Sequence, residues 1–214
     1  AQATIATDFP QSQEPLILLG SPATNPALAM AIGLNWPKLS DQGHALRSIK
    51  VRQQPALVVG GGSPVATLWA AYEFGYHFGI RYLLAGDVLP AQRPEFRLDG
   101  IDRVLEPTLR LRTWRTVNDL PIGPESWGLA DQRQLLGQLA KLKFNRVLVQ
   151  VYAWQPFVDF EFGGVKKQTA LQWYGYRYPV DGDTAGRAAF RGATVFENPD
   201  FTGRTTYAQR IEAG

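Results

Sequence analysis

Three arginines crowd one β-prone run: Arg110 and Arg112 alternate with Leu109, Leu111 and Thr113, and Arg115 falls one step out of phase behind Trp114. A guanidinium donates several hydrogen bonds in a fixed plane, a geometry suited to vicinal hydroxyls. Further along, Tyr152, Trp154, Phe157, Phe160, Phe162, Trp173, Tyr174, Tyr176 and Tyr178 enrich one stretch in rings. An indole or phenol offers an apolar face to the C–H side of a pyranose. Most of these rings suit the packing of a long irregular excursion; Trp154 stands apart because it follows directly on a predicted strand end. The same stretch holds the carboxylate pairs Asp159/Glu161 and Asp181/Asp183. Glycoside cleavage needs two carboxyl groups, one to protonate the leaving oxygen and one to act as nucleophile or base. A spacing of two in a loop does not build that arrangement, and solvated or turn-forming carboxylates are the expectation. Asp181-Gly182-Asp183-Thr184 lacks the acidic spacing and terminal Glu of a calcium loop. Neither His44 nor His77 has a companion at metal-ligand spacing, and cysteine is absent, which removes thiol nucleophiles, disulfides and zinc-thiolate sites. No metal and no cofactor are expected.

The elements that must carry these residues read as strand, helix, strand. The arginine run is the first strand. A helix over about Leu129 to Leu142 follows, with Leu129, Leu135, Leu136, Leu139 and Leu142 as its apolar stripe, and Val147 to Tyr152 is the second strand. Such a βαβ unit favours a parallel sheet or barrel. From Pro107 onward the chain holds about half of the ~250 residues of a (β/α)8 barrel. The expectation is therefore a front piece, in which the remainder of the barrel is the partner that completes it. From Asp181 to Asp200 the chain reads as loop, and a helix is expected from Thr202 to Glu212.

Ahead of this unit, strand and helix signals alternate. Pro15 to Gly20 reads as a short buried strand, and Asn25-Pro26 opens a helix to Ile32. Ser48 to Arg52 alternates apolar and charged residues, as a strand with one wet face does, and Ala56 to Val59 is apolar throughout and therefore central. Gly60-Gly61-Gly62-Ser63-Pro64 leads into a helix with Val65, Leu68, Trp69, Tyr72 and Tyr76 at helical spacing, closed by Gly79. A glycine-rich turn of this kind invites phosphate binding, but the third glycine of the dinucleotide fingerprint is replaced by Val65 and no phosphate-loop Lys follows. Close helix-to-strand packing is the preferred reading of these glycines. Ile80 to Leu84 is the next strand, Ala85 to Pro90 a turn, and a short strand is expected near Phe96–Leu98. The boundary falls near residue 104, dividing an α/β accessory domain (1–104, a mixed sheet with helices on one face) from the opening of an incomplete barrel (105–214).

Two pieces of the chain carry a family resemblance. The first joins Gly60-Gly61-Gly62-Ser63-Pro64, Leu68-Trp69-Ala70-Ala71-Tyr72-Glu73-Phe74 and Gly79-Ile80-Arg81-Tyr82-Leu83-Leu84-Ala85-Gly86-Asp87. It is similar to the small α/β domain that precedes the barrel in family 20 hexosaminidases and α-glucuronidases. The second joins Leu111 to Asp119 with Gln138 to Val147, and resembles the first barrel strand and the lead-in to the second in those enzymes. The resemblance spans roughly residues 55 to 152. It implies that Arg112 contacts sugar hydroxyls, with Arg115 as the alternative because Thr113 stands where glycine is usual. It also implies that Asn118 and Asp119 close the first strand near the substrate, and Trp154 joins them from the second loop. The catalytic carboxylates would lie on later strands.

Composition fits a folded protein, with 45% hydrophobic and 19% charged residues in 214. The net charge of +3 and the lack of a basic run argue against nucleic acid. No stretch of ~18 apolar residues would span a membrane. Ala1-Gln2-Ala3 fits what signal cleavage leaves behind, as it fits an arbitrary start, so a secreted or periplasmic location is the expectation. The implied partner is a glycan containing a uronic acid or an N-acetylhexosamine. The rival readings are a carbohydrate-binding or scaffolding module without catalysis and a nucleotide-binding α/β protein.

Overall fold

Ala56-Leu57-Val58-Val59 is apolar on both faces of a strand, so it needs cover from two sides. The computed structural model describes residues 5–6, 14–115, 127–149, 158–167, 177–184, 192–200 and 203. It forms a mixed α/β structure of several small sheets and, among the described residues, three α-helices in two compact units: 1–111 with 140–143, and 112–139 with 144–214. The first unit contains β1 (Leu16–Leu19), α1 (Pro26–Ile32), β2 (His44–Val51), β3 (Gln54–Gly61), α2 (Pro64–His77), β4 (Arg81–Leu83), β5 (Gly86–Val88) and β6 (Asp102–Leu105). Its main sheet runs β1-β3-β2-β6, with β1 parallel to β3 and the other pairs antiparallel.

Helices lie on both faces of this sheet, which corrects the expectation of one covered face. On one side Leu28 and Ile32 of α1 pack on Leu18, Ala56 and Val58. On the other, Ala70 of α2 packs with Leu46, Leu57 and Val59, together with Leu98 and Ile101. The alternation of β3 sends successive apolar side chains to opposite faces, and each set demands its own helix. The caps are local and match the sequence. Asn25 accepts from the amides of Ala27 and Leu28, Ser63 accepts from that of Ala66, and Pro26 and Pro64 start their helices.

Several expectations change. β1 is an edge strand in which only Leu18 is buried. β2 begins four residues earlier than expected and ends at Val51; Arg52 and Gln53 form the hairpin turn, both at positive φ. The buried stripe of α2 is Ala66, Trp69, Ala70 and Glu73, while Val65, Leu68 and Tyr76 face outward. Small residues won that face because they let the helix approach the sheet closely. Gly86 to Val88 is not a turn but the second strand of a β4–β5 hairpin. Phe96 to Leu98 is no strand, although Leu98 is buried and Phe96 stacks on Phe78; the strand is β6, which contains residue 104.

The second unit contains β7 (Thr113–Arg115), α3 (Leu129–Lys141, whose last two residues group with the first unit), β8 (Arg146–Leu148), β9 (Glu161–Phe162), β10 (Val165–Lys166), β11 (Arg177–Pro179) and β12 (Val195–Glu197). β7 and β8 pair in parallel on either side of α3, pairing Trp114 with Val147. α3 buries Leu135, Gln138 and Leu139; Leu129 and Leu136 of the expected stripe are exposed. β9 and β10 form a hairpin about Gly163-Gly164, both at positive φ, which suits a two-residue turn. β12, which falls inside the stretch from Asp181 to Asp200 expected to be loop, is a strand paired with β11 just before that stretch. The helix expected from Thr202 to Glu212 lies outside the described residues, apart from Gly203.

Candidate functional site

β7 and β8 present the candidate residues, and one side chain holds the pair in register. The Arg112 amide donates to Asn145 Oδ1 at 2.9 Å, and the Asn145 amide donates to the Arg112 carbonyl at 3.1 Å. Asn145 thus clamps both strands at their amino ends. Sequence reasoning quoted it only as part of the lead-in to the second strand.

Strand alternation separates the two arginines. Arg112 and Trp114 share the half-buried side with Val147, while Thr113 and Arg115 share the exposed side with Arg146 and Leu148. Arg112 and Arg115 are therefore alternatives and not a pair. Burial pushes the Arg112 guanidinium below its usual range. Trp114 meets Phe144 edge to face at 5.9 Å, and its buried indole N–H has no acceptor among the described residues. Arg115 closes the described part of the strand. Asn118, Asp119 and Trp154 lie outside the described residues.

The other sequence candidates resolve into local structure. Asp159 sits 3.4 Å from Lys166, and Glu161 stands opposite the same lysine across the hairpin. Asp181 Oδ1 accepts from the Asp183 amide and the Thr184 hydroxyl, and the Thr184 hydroxyl accepts from the Asp181 amide, which makes this a turn. Among the described residues no group of three or more His, Asp or Glu could hold a metal ion, and no helix is long and apolar enough to cross a membrane. Phe160 and Phe162 lie on one face of the β9–β10 hairpin, and Phe162 is 83% exposed.

The glycine run has a packing role. A Cβ at Gly60 would lie 2.1 Å from the Gly20 carbonyl oxygen, and one at Gly62 would lie 1.9 Å from that of Ser40. Gly60 and Gly61 belong to β3, and the Gly62 amide donates to the Gly43 carbonyl. An anion would have to compete with the sheet for that amide.

The first unit also contains a charged cluster that the sequence did not signal. The Glu73 carboxylate, buried on α2, is ion-paired with Lys143 and lies 3.4 Å from Arg103 of β6. Asp87 of β5 pairs with Lys141 at 2.6 Å. Arg81 lies 4.0 Å from the centre of the Tyr76 ring and donates to the Tyr76 carbonyl, so this arginine of the resemblance finishes a helix. Comparison with known proteins finds no matching family, no matching curated protein and no matching solved structure.

Proposed function

We propose that this chain is the amino-terminal part of a secreted or periplasmic glycoside hydrolase: an α/β accessory domain followed by the first strands of a (β/α)8 barrel. The observation that carries the reading is the parallel β7–α3–β8 unit that follows the first unit's mixed sheet. Parallel strands are found with both faces covered, and barrel strands carry their sites at their carboxyl ends. The Thr113, Arg115, Arg146, Leu148 side is exposed as it stands, which fits a strand pair completed by further strands.

In this reading the substrate is a glycan with a uronic acid or N-acetylhexosamine unit. Arg112 or Arg115 donates to its hydroxyls, and Asn118, Asp119 and Trp154 line the loops after the two strands. Acid and nucleophile come from later strands or, for the nucleophile, from the substrate's acetamido group. The test is an assay of the natural full-length gene product on aryl glucuronides and aryl N-acetylhexosaminides. Release of the aryl alcohol is expected, with the 214-residue chain alone inactive; a folded full-length product that cleaves neither overturns the reading.

One observation favours a second reading, a carbohydrate-binding module without catalysis. Phe160 and Phe162 stand on one face of a tight hairpin, and rings so placed can stack on a sugar without any catalytic partner. Retention of the 214-residue chain on an immobilised glycan, lost in Phe162→Ala, would favour it.

A further inference from the structure

We propose that His44 is an acid-sensitive point of the first unit: its ring is buried neutral between β2 and α2, and protonating it destabilises the fold at that seam. His44 opens β2 and is 2% exposed, with its ring edge against Trp69 of α2 at 6.3 Å between centroids. Its Nδ1 lies 3.1 Å from the Gln42 carbonyl oxygen. A carbonyl only accepts, so the proton is on Nδ1 and Nε2 carries a lone pair. That buried Nε2 has no hydrogen-bond partner among the described residues.

The surroundings suit a neutral ring and penalise a charged one. On the neighbouring strands His44 stands opposite Gly61 and Leu105, and β3 carries no charged residue. Leu46 stands opposite Arg103, which places Arg103 on the same sheet face two residues along. α2 contributes Glu73 to this layer, the 140–143 segment contributes Lys143, and Glu106 follows β6. Both carboxylates are already engaged. Glu73 holds Lys143 and Arg103, while Glu106 accepts from the Ser40 amide at 2.8 Å and hydroxyl at 2.7 Å. A proton on Nε2 must either stay buried without an acceptor or draw one carboxylate away from its present partners.

Burial, the largest influence, lowers the ring's pKa from 6.5; Lys143 acts in the same direction, against the Gln42 carbonyl, Glu73 and Glu106. The unfolded chain therefore takes up the proton first. Stability is intact above pH 6.5 and falls as the pH drops from there toward the folded value.

The chain contains two histidines, so the Hε1 resonances in proton NMR are readily separated, and His77→Gln assigns them. In the folded 214-residue chain the His44 signal is expected to titrate with a midpoint below 6.5. Urea unfolding is expected to show the wild-type unfolding constant rising relative to that of His44→Phe as the pH falls below 6.5, with a slope that steepens from about half a proton toward at most one. A His44 midpoint at or above 6.5, or parallel pH dependence in the two proteins, overturns the proposal. If His44→Phe does not fold, the NMR titration of the His77→Gln chain decides alone.

Discussion

The two units differ in what they do with their apolar side chains. In the first, β3 is flanked by strands on both edges and by helices on both faces, and Leu46, Leu57, Val58 and Val59 are essentially inaccessible. In the second, only Leu135, Leu139 and Val180 are buried apolar residues among those described, while Leu148 and Val149 at the end of β8 are exposed. A four-stranded sheet with a helix on each side can close its core. A pair of three-residue parallel strands leaves two faces and two edges for other segments to cover. The difference is one of burial among the described residues: a closed core in the first unit and exposed apolar strand residues in the second.

Mutations test this contrast. The largest expected effect is on a core leucine. Leu57→Ala should cost about 3 kcal/mol in urea unfolding followed by a first-unit probe, whereas Leu148→Ala, at a residue 43% exposed, should cost under about 1 kcal/mol. Equal losses at the two sites would end the distinction. Gly62→Ala comes next: its Cβ would meet the Ser40 carbonyl oxygen at 1.9 Å, so a loss of about 2 kcal/mol is expected from the same measurement. A neutral outcome would return the glycine run to a binding role.

Smaller effects test how far local sequence governs the first unit. Asn25→Ala removes the acceptor for the Ala27 and Leu28 amides and should cost about 1 kcal/mol, read as a lower urea midpoint. Gln53→Gly should do the reverse. Arg52 and Gln53 turn the β2–β3 hairpin with φ of 50° and 68°, a region glycine occupies without penalty, so a gain of up to about 1 kcal/mol in thermal or urea stability is expected.

The features legible in the sequence were those set by neighbours in the chain. Asn25-Pro26 and Ser63-Pro64 act within one helical turn, and Ala56 to Val59 could only be central. The parallel pairing about α3 followed from the order strand, helix, strand. What escaped depends on distant partners. Glu73 interrupts an apparent apolar helix, and its burial makes sense only with Arg103 and Lys143, 30 and 70 positions away. Ala66 and Ala70 outcompeted Val65 and Leu68 for the sheet because close approach favours small side chains. β6 is a strand because β2 offers it an edge, not because Asp102-Arg103-Val104-Leu105 insists on one. Of the candidate site, the separation of Arg112 from Arg115 was legible in strand parity, whereas the clamp by Asn145 was not, since it joins two strands that only the fold brings together.

The proposal that further strands complete the β7–β8 pair is tested most directly by hydrogen exchange, measured by mass spectrometry on this chain and on the natural full-length product side by side. Amides of β2 and β3 are expected to be equally protected in both. Those of β7 and β8 are expected to exchange readily in the 214-residue chain and to become protected in the longer product, as further strands cover them. Protection of β7 and β8 in this chain equal to that of β2 and β3 would contradict the account.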